Sequence, residues 1–338
     1  MANYEDIKPI GIRTSSDNTG KTTGQVWYNS TEEKIKYKTG TSKRVFVSGG
    51  DLNTARWSGA AAGTNTAGLL AGGLVQSFPA VKVGNAEVYD GSSWTEVSDL
   101  NTTANFNTGI GTSTAALSVG GAPGVALNES WNGSSWTEVA DLNAVRQGHS
   151  SSNSGTTTAG IIFGGQSPPA SPDYVGLTES WNGSSWTEVG DLNTVRSFLG
   201  GCGTQTASLA FGGLFNPPIA HYTNTESWNG SSWTEVNDLA TKRAYLAGAG
   251  SSTDAIALGG LTFPGAPTNA SNIIDGVEHF DGTSWSESNP MNRARYRGNS
   301  AGAASSSSFI AGGFGLGFAA TEECVVSDTI SAESKLST

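Results

Sequence analysis

Three histidines, two cysteines and a recurrent arginine are the side chains with the most chemistry to offer in this sequence. A structural or catalytic metal centre needs three or four such groups converging on one point. His149, His221 and His279 fall at non-equivalent places of an internal repeat, so no shared metal site and no cofactor are expected. Cys202 and Cys324 are too few for a disulfide framework and read as two packed free thiols. A glycoside hydrolase needs two carboxylates set about 5 to 9.5 Å apart. Glu138, Glu188 and Glu235 instead recur at one repeat position, which predicts a solvated face. Asp90-Gly91 and its Asn-Gly counterparts read as turn geometry. The recurrent Arg56, Arg146, Arg196, Arg243 and Arg295 are expected to satisfy nearby carbonyls or pair with the local Asp, rather than form a ring of anion contacts.

The chain that must position these groups has 338 residues, enough for one large unit burying about 75% of its unfolded surface. Its net charge is −11 with only 18 Lys and Arg, so it lacks the basic footprint of a nucleic-acid binder. Anionic membrane surfaces are disfavoured for the same reason. The opening MANYEDIKPIG has no basic segment followed by an apolar run, so no signal peptide is read there. No run approaches the ~20 apolar residues of a membrane span. Synthesis in a reducing cytoplasm is the expectation. Forty-six glycines would fit a disordered linker, but ten Trp, twelve Phe and eight Tyr recur in step with them. That is a turn-rich all-β composition.

Periodicity is the dominant signal. SWNGSSWTEV occurs three times unchanged, at 130–139, 180–189 and 227–236, with looser copies at 88–97 and 279–288. After each comes a second marker, DLNTAR at 51–56 and its relatives starting at 99, 141, 191, 238 and 290, which places them 42 to 52 residues apart. A Gly-Gly pair ends an apolar run six times, beginning at Gly72, Gly120, Gly164, Gly212, Gly259 and Gly312. Six repeats of four short strands follow. The innermost, such as 197–203, is nearly bare of bulk, as suits strands converging on an axis. The second runs into Gly-Gly. The third and fourth flank an Asn-Gly or Asp-Gly, which predicts a hairpin with a type I′ turn.

The predicted fold is thus all-β, a six-bladed β-propeller of four-stranded antiparallel blades. The sixth repeat lacks its own fourth strand. Phe46 lies five residues before Asp51, just as Trp94 lies five before Asp99, so the N-terminal strand is expected to complete the last blade and close the ring. Closure removes exposed edges. The predicted domains are an N-terminal segment 1–43 with a short hairpin, a propeller at 44–327 and a tail at 328–338.

The order of Arg, strand, Gly-Gly, aromatic with Asp or Asn, Trp and the next Arg is similar to the kelch repeat over roughly residues 44–327. It departs in the short spacing from Tyr89 to Trp94 and in Asn105, near where an Arg is usual. The block ESWNGSSWTEV, DLNTVR and GTQTASLAFGG more closely resembles the Gly/Ser/Thr-rich propeller proteins of tailed phages, particularly marine ones. GQVWYN at 24–29 with KIKYKTG at 34–40 resembles a short hairpin found near the start of phage tail-fibre and virion proteins. The resemblance implies a non-enzymatic virion component: a tail fibre, a receptor-binding protein or a surface decoration. Its implied location is the virion, and segment 1–43 is the implied attachment element. Its partners would be other virion proteins or a host-surface receptor, glycans included, with no nucleic acid and no membrane insertion. An intracellular kelch-type interaction module is the alternative. A carbohydrate-active propeller enzyme ranks below both.

Whatever repeats in every blade is explained by the scaffold, so function is sought where blades differ. The variable connections from second to third strand are 74–83, 122–126, 166–178, 214–223, 261–276 and 314–320. They carry Phe78, Tyr174, Phe215, His221, Tyr222, Phe263 and Phe318 among several prolines, and these seven are the predicted binding residues. Stiffened aromatics offer contact area at low entropy cost. Local packing at the blade ends is the competing reading. Strand alternation puts these connections on the face that also holds the Asp-to-Arg connections such as 191–196.

Overall fold

The computed structural model describes residues 13–15, 26–29, 34–77, 79–122, 124–167, 173–216, 219–262, 272–315, 318–330 and 334–335. The chain divides into two compact units, Met1–Val45 with Val326–Thr338, and Phe46–Val325. In the first, Val26–Asn29 pairs antiparallel with the beginning of the strand Lys34–Ser48 and parallel with Arg13–Ser15.

The second unit is a succession of four-stranded antiparallel sheets. The fourth blade is typical. Gly200–Thr204 pairs with Ala207–Phe211, which pairs with Thr225–Trp228, which pairs with Trp233–Val236. The innermost strands of successive sheets touch in sequence: Ala60–Thr64, Thr108–Gly111, Ser150–Ser151, Gly200–Thr204, Ala247–Ser251 and Asn299–Ala301, which returns to Ala60–Thr64. The ring therefore closes after six blades. Its inner strands are small because their backbones nearly meet: a Cβ on Gly109 would lie 2.1 Å from the Ala61 carbonyl oxygen of the neighbouring blade. Among the described residues the only helix is the 3₁₀ turn Ser305–Ser307.

Closure is by the N-terminal strand, as the spacing of Phe46 predicts. Lys34–Ser48 neighbours the strand Thr321–Ile330, and the Gly49 amide donates to the Thr321 carbonyl at 3.0 Å. Phe46 stands where the other blades place Trp. The carbonyls of Trp94, Trp136, Trp186 and Trp233 each accept from a marker Asn side chain, and the Phe46 carbonyl accepts from Asn292 at 3.1 Å.

Blades are glued by the side chains of their sheets. Between the fourth and fifth, Cys202, Leu209 and Phe211 pack on Leu239, Leu246, Phe280 and Trp285. The indole N–H groups of Trp94, Trp233 and Trp285 reach back to the hydroxyls of Thr321, Thr178 and Thr225 in the preceding blades, at 2.9 to 3.1 Å. A buried indole N–H needs such a partner. Glu138, Glu188 and Glu235 are exposed, as their recurrence at one repeat position predicts. Cys202 and Cys324 are buried and form no disulfide with each other.

Two sequence expectations need correction. The hairpins between third and fourth strands form, but they are not two-residue type I′ turns. Trp131 pairs with Trp136 across a four-residue loop in which only Gly133 has positive φ. Asn132 keeps an ordinary backbone, and its side-chain oxygen accepts from the amides of Ser134 and Ser135. The Asn closes the loop by its side chain, as an Asx turn does.

The repeat arginines do not pair with the local Asp. Each meets a buried glutamate on the third strand of its own blade: Arg56–Glu87, Arg146–Glu179, Arg196–Glu226, Arg243–Glu278 and Arg295–Glu322. Each guanidinium also donates to main-chain carbonyls, as expected. A buried guanidinium requires a full counter-charge, and the Glu supplies it in the interior where the rim Asp cannot. In the second blade the arginine position is Ala104, not Asn105. The Gly73 amide donates to the Ala104 carbonyl, as Gly121 does to Arg146 and Gly165 to Arg196.

Candidate functional site

Two residues beyond each repeat arginine, or beyond Ala104, the chain turns in toward the propeller axis. Ser58, Phe106, Gly148, Phe198, Tyr245 and Arg297 occupy this place, and their φ values all lie between +52° and +63°. An L-residue in this left-handed region costs about 1–2 kcal/mol, and five of the six carry a side chain. A ring of hydrogen bonds holds the conformation. The amide of each residue donates to the carbonyl of its counterpart in the preceding blade: Phe106 to Ser58, Gly148 to Phe106, Phe198 to Gly148, Tyr245 to Phe198, Arg297 to Tyr245 and Ser58 to Arg297. These six bonds span 2.7 to 3.4 Å and close on themselves.

With the backbone groups satisfied, the side chains gather at the mouth of the axis. Phe198 stacks on Tyr245 at 4.3 Å, and Phe106 meets Phe198 edge-on at 5.5 Å. The Arg297 guanidinium lies over Tyr245 at 4.6 Å and Phe106 at 4.9 Å. Such cation–π contacts contribute about 0.5–2 kcal/mol each. Among the described residues Arg297 has no ion-pair partner, so a cation faces the mouth of a chain whose net charge is −11.

Below the cluster is a cavity of about 120 Å³, lined by Asn107, Ser150, Ser151, Asn299, Ser300 and inner-strand glycines. Its floor comes from the third blade, whose innermost strand is only Ser150–Ser151 because the chain then crosses the channel. The Asn153 side chain donates to the Gly248 carbonyl at 2.7 Å, and the Ser154 hydroxyl reaches the carbonyls of Gly250 and Gly302 at 3.1 Å. No Asp or Glu lies among the lining residues. His149 borders the cavity, but burial first, and then the charge of Arg146, hold its imidazole down to about 3. It is neutral at ordinary pH. A guanidinium, three aromatic faces and a hydroxyl-lined pit offer contact to anionic or planar groups.

The predicted loop residues are placed elsewhere on this face. Tyr174 and Phe215, from the third and fourth blades, come together at 5.3 Å. Phe318 packs on Phe314 of its own blade and on Trp57 of the first blade. His221 is buried, which lowers its pKa, and Tyr222 is half-buried. Phe78 and Phe263 lie outside the described residues. His279 Nε2 donates to the Asp254 carboxylate at 2.7 Å in the fifth blade, far in sequence and repeat position from His149 and His221.

The axial residues are absent from the sequence-based set. Their signal is a position that reads Ser, Phe, Gly, Phe, Tyr and Arg in successive repeats, while the Asp-Leu and Arg before it hardly change.

Radially arranged antiparallel sheets, joined by an axial hydrogen-bond ring, make Phe46–Val325 a β-propeller. Among solved structures 257 chains are similar to it. YjhT is one, at a TM-score of 0.62 and 14% identity, with 84% of this chain and 99% of that chain covered. At that identity the likeness shows the fold alone. No family model matches the sequence, and no curated protein is similar to it.

Proposed function

We propose that the chain is a non-enzymatic binding propeller of the kelch-like type, carried on the particle of a tailed phage, with the axial mouth as its principal contact. The virion assignment rests on the resemblance of the SWNGSSWTEV repeat style and the segments 24–29 and 34–40 to phage virion proteins. The contact assignment rests on one observation: Phe106, Phe198, Tyr245 and Arg297 are held in strained backbone at the one place where all six blades meet. Strain of that kind persists where the surrounding structure over-determines it, and it clusters at ligand clamps. The partner is a host-surface receptor or a neighbouring virion protein.

The test pairs location with binding. Antibody to this chain is imaged on purified particles, and the soluble chain and its Arg297→Ala variant are measured for adsorption to host cells. Label at tail tips or fibres, with adsorption reduced at least tenfold in the variant, is the expected result for a receptor-binding protein. Label over the capsid identifies a decoration. Particles without label overturn the virion reading and favour an intracellular interaction module.

A further inference from the structure

The second blade differs from the other five at one buried place. Glu129 stands where Glu87, Glu179, Glu226, Glu278 and Glu322 stand, and it is equally withdrawn from solvent, at 6% exposure. Its oxygens accept from the Asn101 amide, the Asn101 side chain and the Thr102 amide at 2.8 to 2.9 Å. The fourth partner is missing. Where the other blades supply a guanidinium, this one has the methyl of Ala104, and among the described residues Glu129 has no ion-pair partner.

The volume the arginine would fill is still there. A cavity of about 120 Å³ is bounded by Ala104, Ser118, Gly120, Leu127 and Glu129. A water molecule needs only about 10–15 Å³ of such space, so the cavity admits a considerably larger guest. Its walls are an arginine's own acceptors. In three of the other blades the guanidinium donates to the carbonyl two residues before the Glu, Arg146 to Leu177, Arg243 to Gly276 and Arg295 to Ala320. In two of these it also donates to the first Gly of the Gly-Gly pair, Arg243 to Gly259 at 3.2 Å and Arg295 to Gly312 at 2.8 Å. By repeat register the corresponding carbonyls in the second blade belong to Leu127 and Gly120, and both residues line the cavity. Half-buried Lys82 and Ala122 form the rim, where the Lys82 ammonium donates to the Ala122 carbonyl at 3.4 Å.

We infer that this cavity is a binding site for a guanidinium group, supplied by a free guanidinium compound or by an arginine side chain of a partner chain. The planar fork of five N–H donors matches a carboxylate flanked by carbonyls, whereas a compact ammonium or metal cation does not span them. A buried carboxylate short of its cation gains most from a partner that brings charge and hydrogen bonds together. The site is separate from the axial mouth and stands or falls independently of the proposed function.

The experiment is a saturation-transfer NMR titration of the full chain with methylguanidinium chloride and, in a second arm, with arginine capped at both ends. Methylammonium chloride at equal ionic strength is the control. Saturable binding of methylguanidinium but not methylammonium is expected. Glu129→Gln should weaken it about tenfold, and Ala104→Arg, which plugs the slot from within, should abolish it while melting no lower than the wild type. Entry of capped arginine assigns the site to a partner's side chain, and its exclusion assigns it to a free compound. No saturable signal, a signal that survives in Ala104→Arg, or one that appears only in Lys82→Ala would overturn the inference. In the last case the chain's own lysine is the resident cation.

Discussion

Removing Glu226 from the fourth blade should cost the protein more than removing the arginine it pairs with. Glu226 is 1% exposed, accepts hydrogen bonds from the Asn193 amide at 2.7 Å, the Asn193 side chain at 2.9 Å and the Thr194 amide at 3.2 Å, and forms an ion pair with Arg196 at 3.2 Å. Glu226→Ala strands an arginine with no solvent access, whose Nε and Nη1 already lack partners and whose remaining bond is to the Ala210 carbonyl. An uncompensated buried charge costs about 3–5 kcal/mol, and the orphaned Asn193 and Thr194 amides add to it. Arg196→Ala leaves a carboxylate that keeps three donors. The second blade holds that same arrangement at Glu129 in the native chain. Its cost should be about 2 kcal/mol, mostly lost packing and Coulomb attraction. Urea unfolding followed by Trp fluorescence measures both, and the double variant should show a coupling of about 1–3 kcal/mol. Equal costs, or a larger one for Arg196→Ala, would refute the reasoning from donor counts.

Three further outcomes are expected. His149, held neutral at about 3 in the fold against about 6.5 unfolded, binds fewer protons in the native state between those values. Its contribution is therefore present above pH 6.5 and is lost as pH falls toward 3, at about 1.4 kcal/mol per unit. His149→Leu, the residue that Leu199 and Leu246 place there in later blades, should flatten acid unfolding curves relative to wild type. Phe46→Ala should destabilise the unit by about 3–5 kcal/mol in urea, while Phe46→Trp, matching the other blades, should be tolerated. Ser58→Gly relieves a φ of +57° and removes a buried hydroxyl without a partner. It should raise unfolding free energy by about 1 kcal/mol, and an unchanged midpoint would argue that the turn carries no strain.

The blades were legible because repetition supplies its own alignment. Six copies of one pattern show strand order, Gly-Gly ends and the missing fourth strand, and Phe46 follows from a count of five residues to Asp51. The glutamate partners were equally visible as letters, since each precedes the third-strand aromatic or its equivalent. Which face they take was not. Alternation along one strand says nothing about an arginine some 30 residues earlier, and it is burial that rejects the nearer Asp. The axial cluster was hidden for a related reason. Phe106, Phe198 and Tyr245 are separated by 92 and 47 residues and meet only through ring closure. Long, proline-rich connections drew attention instead. Of their described aromatics, Phe318 packs between the sixth and first blades and Tyr174 with Phe215 forms a separate pair.

Because the axial bonds run from main chain to main chain, the mouth is a set of six sockets whose wiring is indifferent to what is plugged in. A serine, a glycine, three aromatics and an arginine already share one backbone geometry there. Exchanging one for another alters the rim without asking the neighbouring blades to re-pair. A lineage can thus rewrite the centre of this surface side chain by side chain while the backbone wiring that displays it is kept, each change answering to the neighbours it touches, as at Gly148, where a Cβ would meet the Phe198 ring at 2.6 Å.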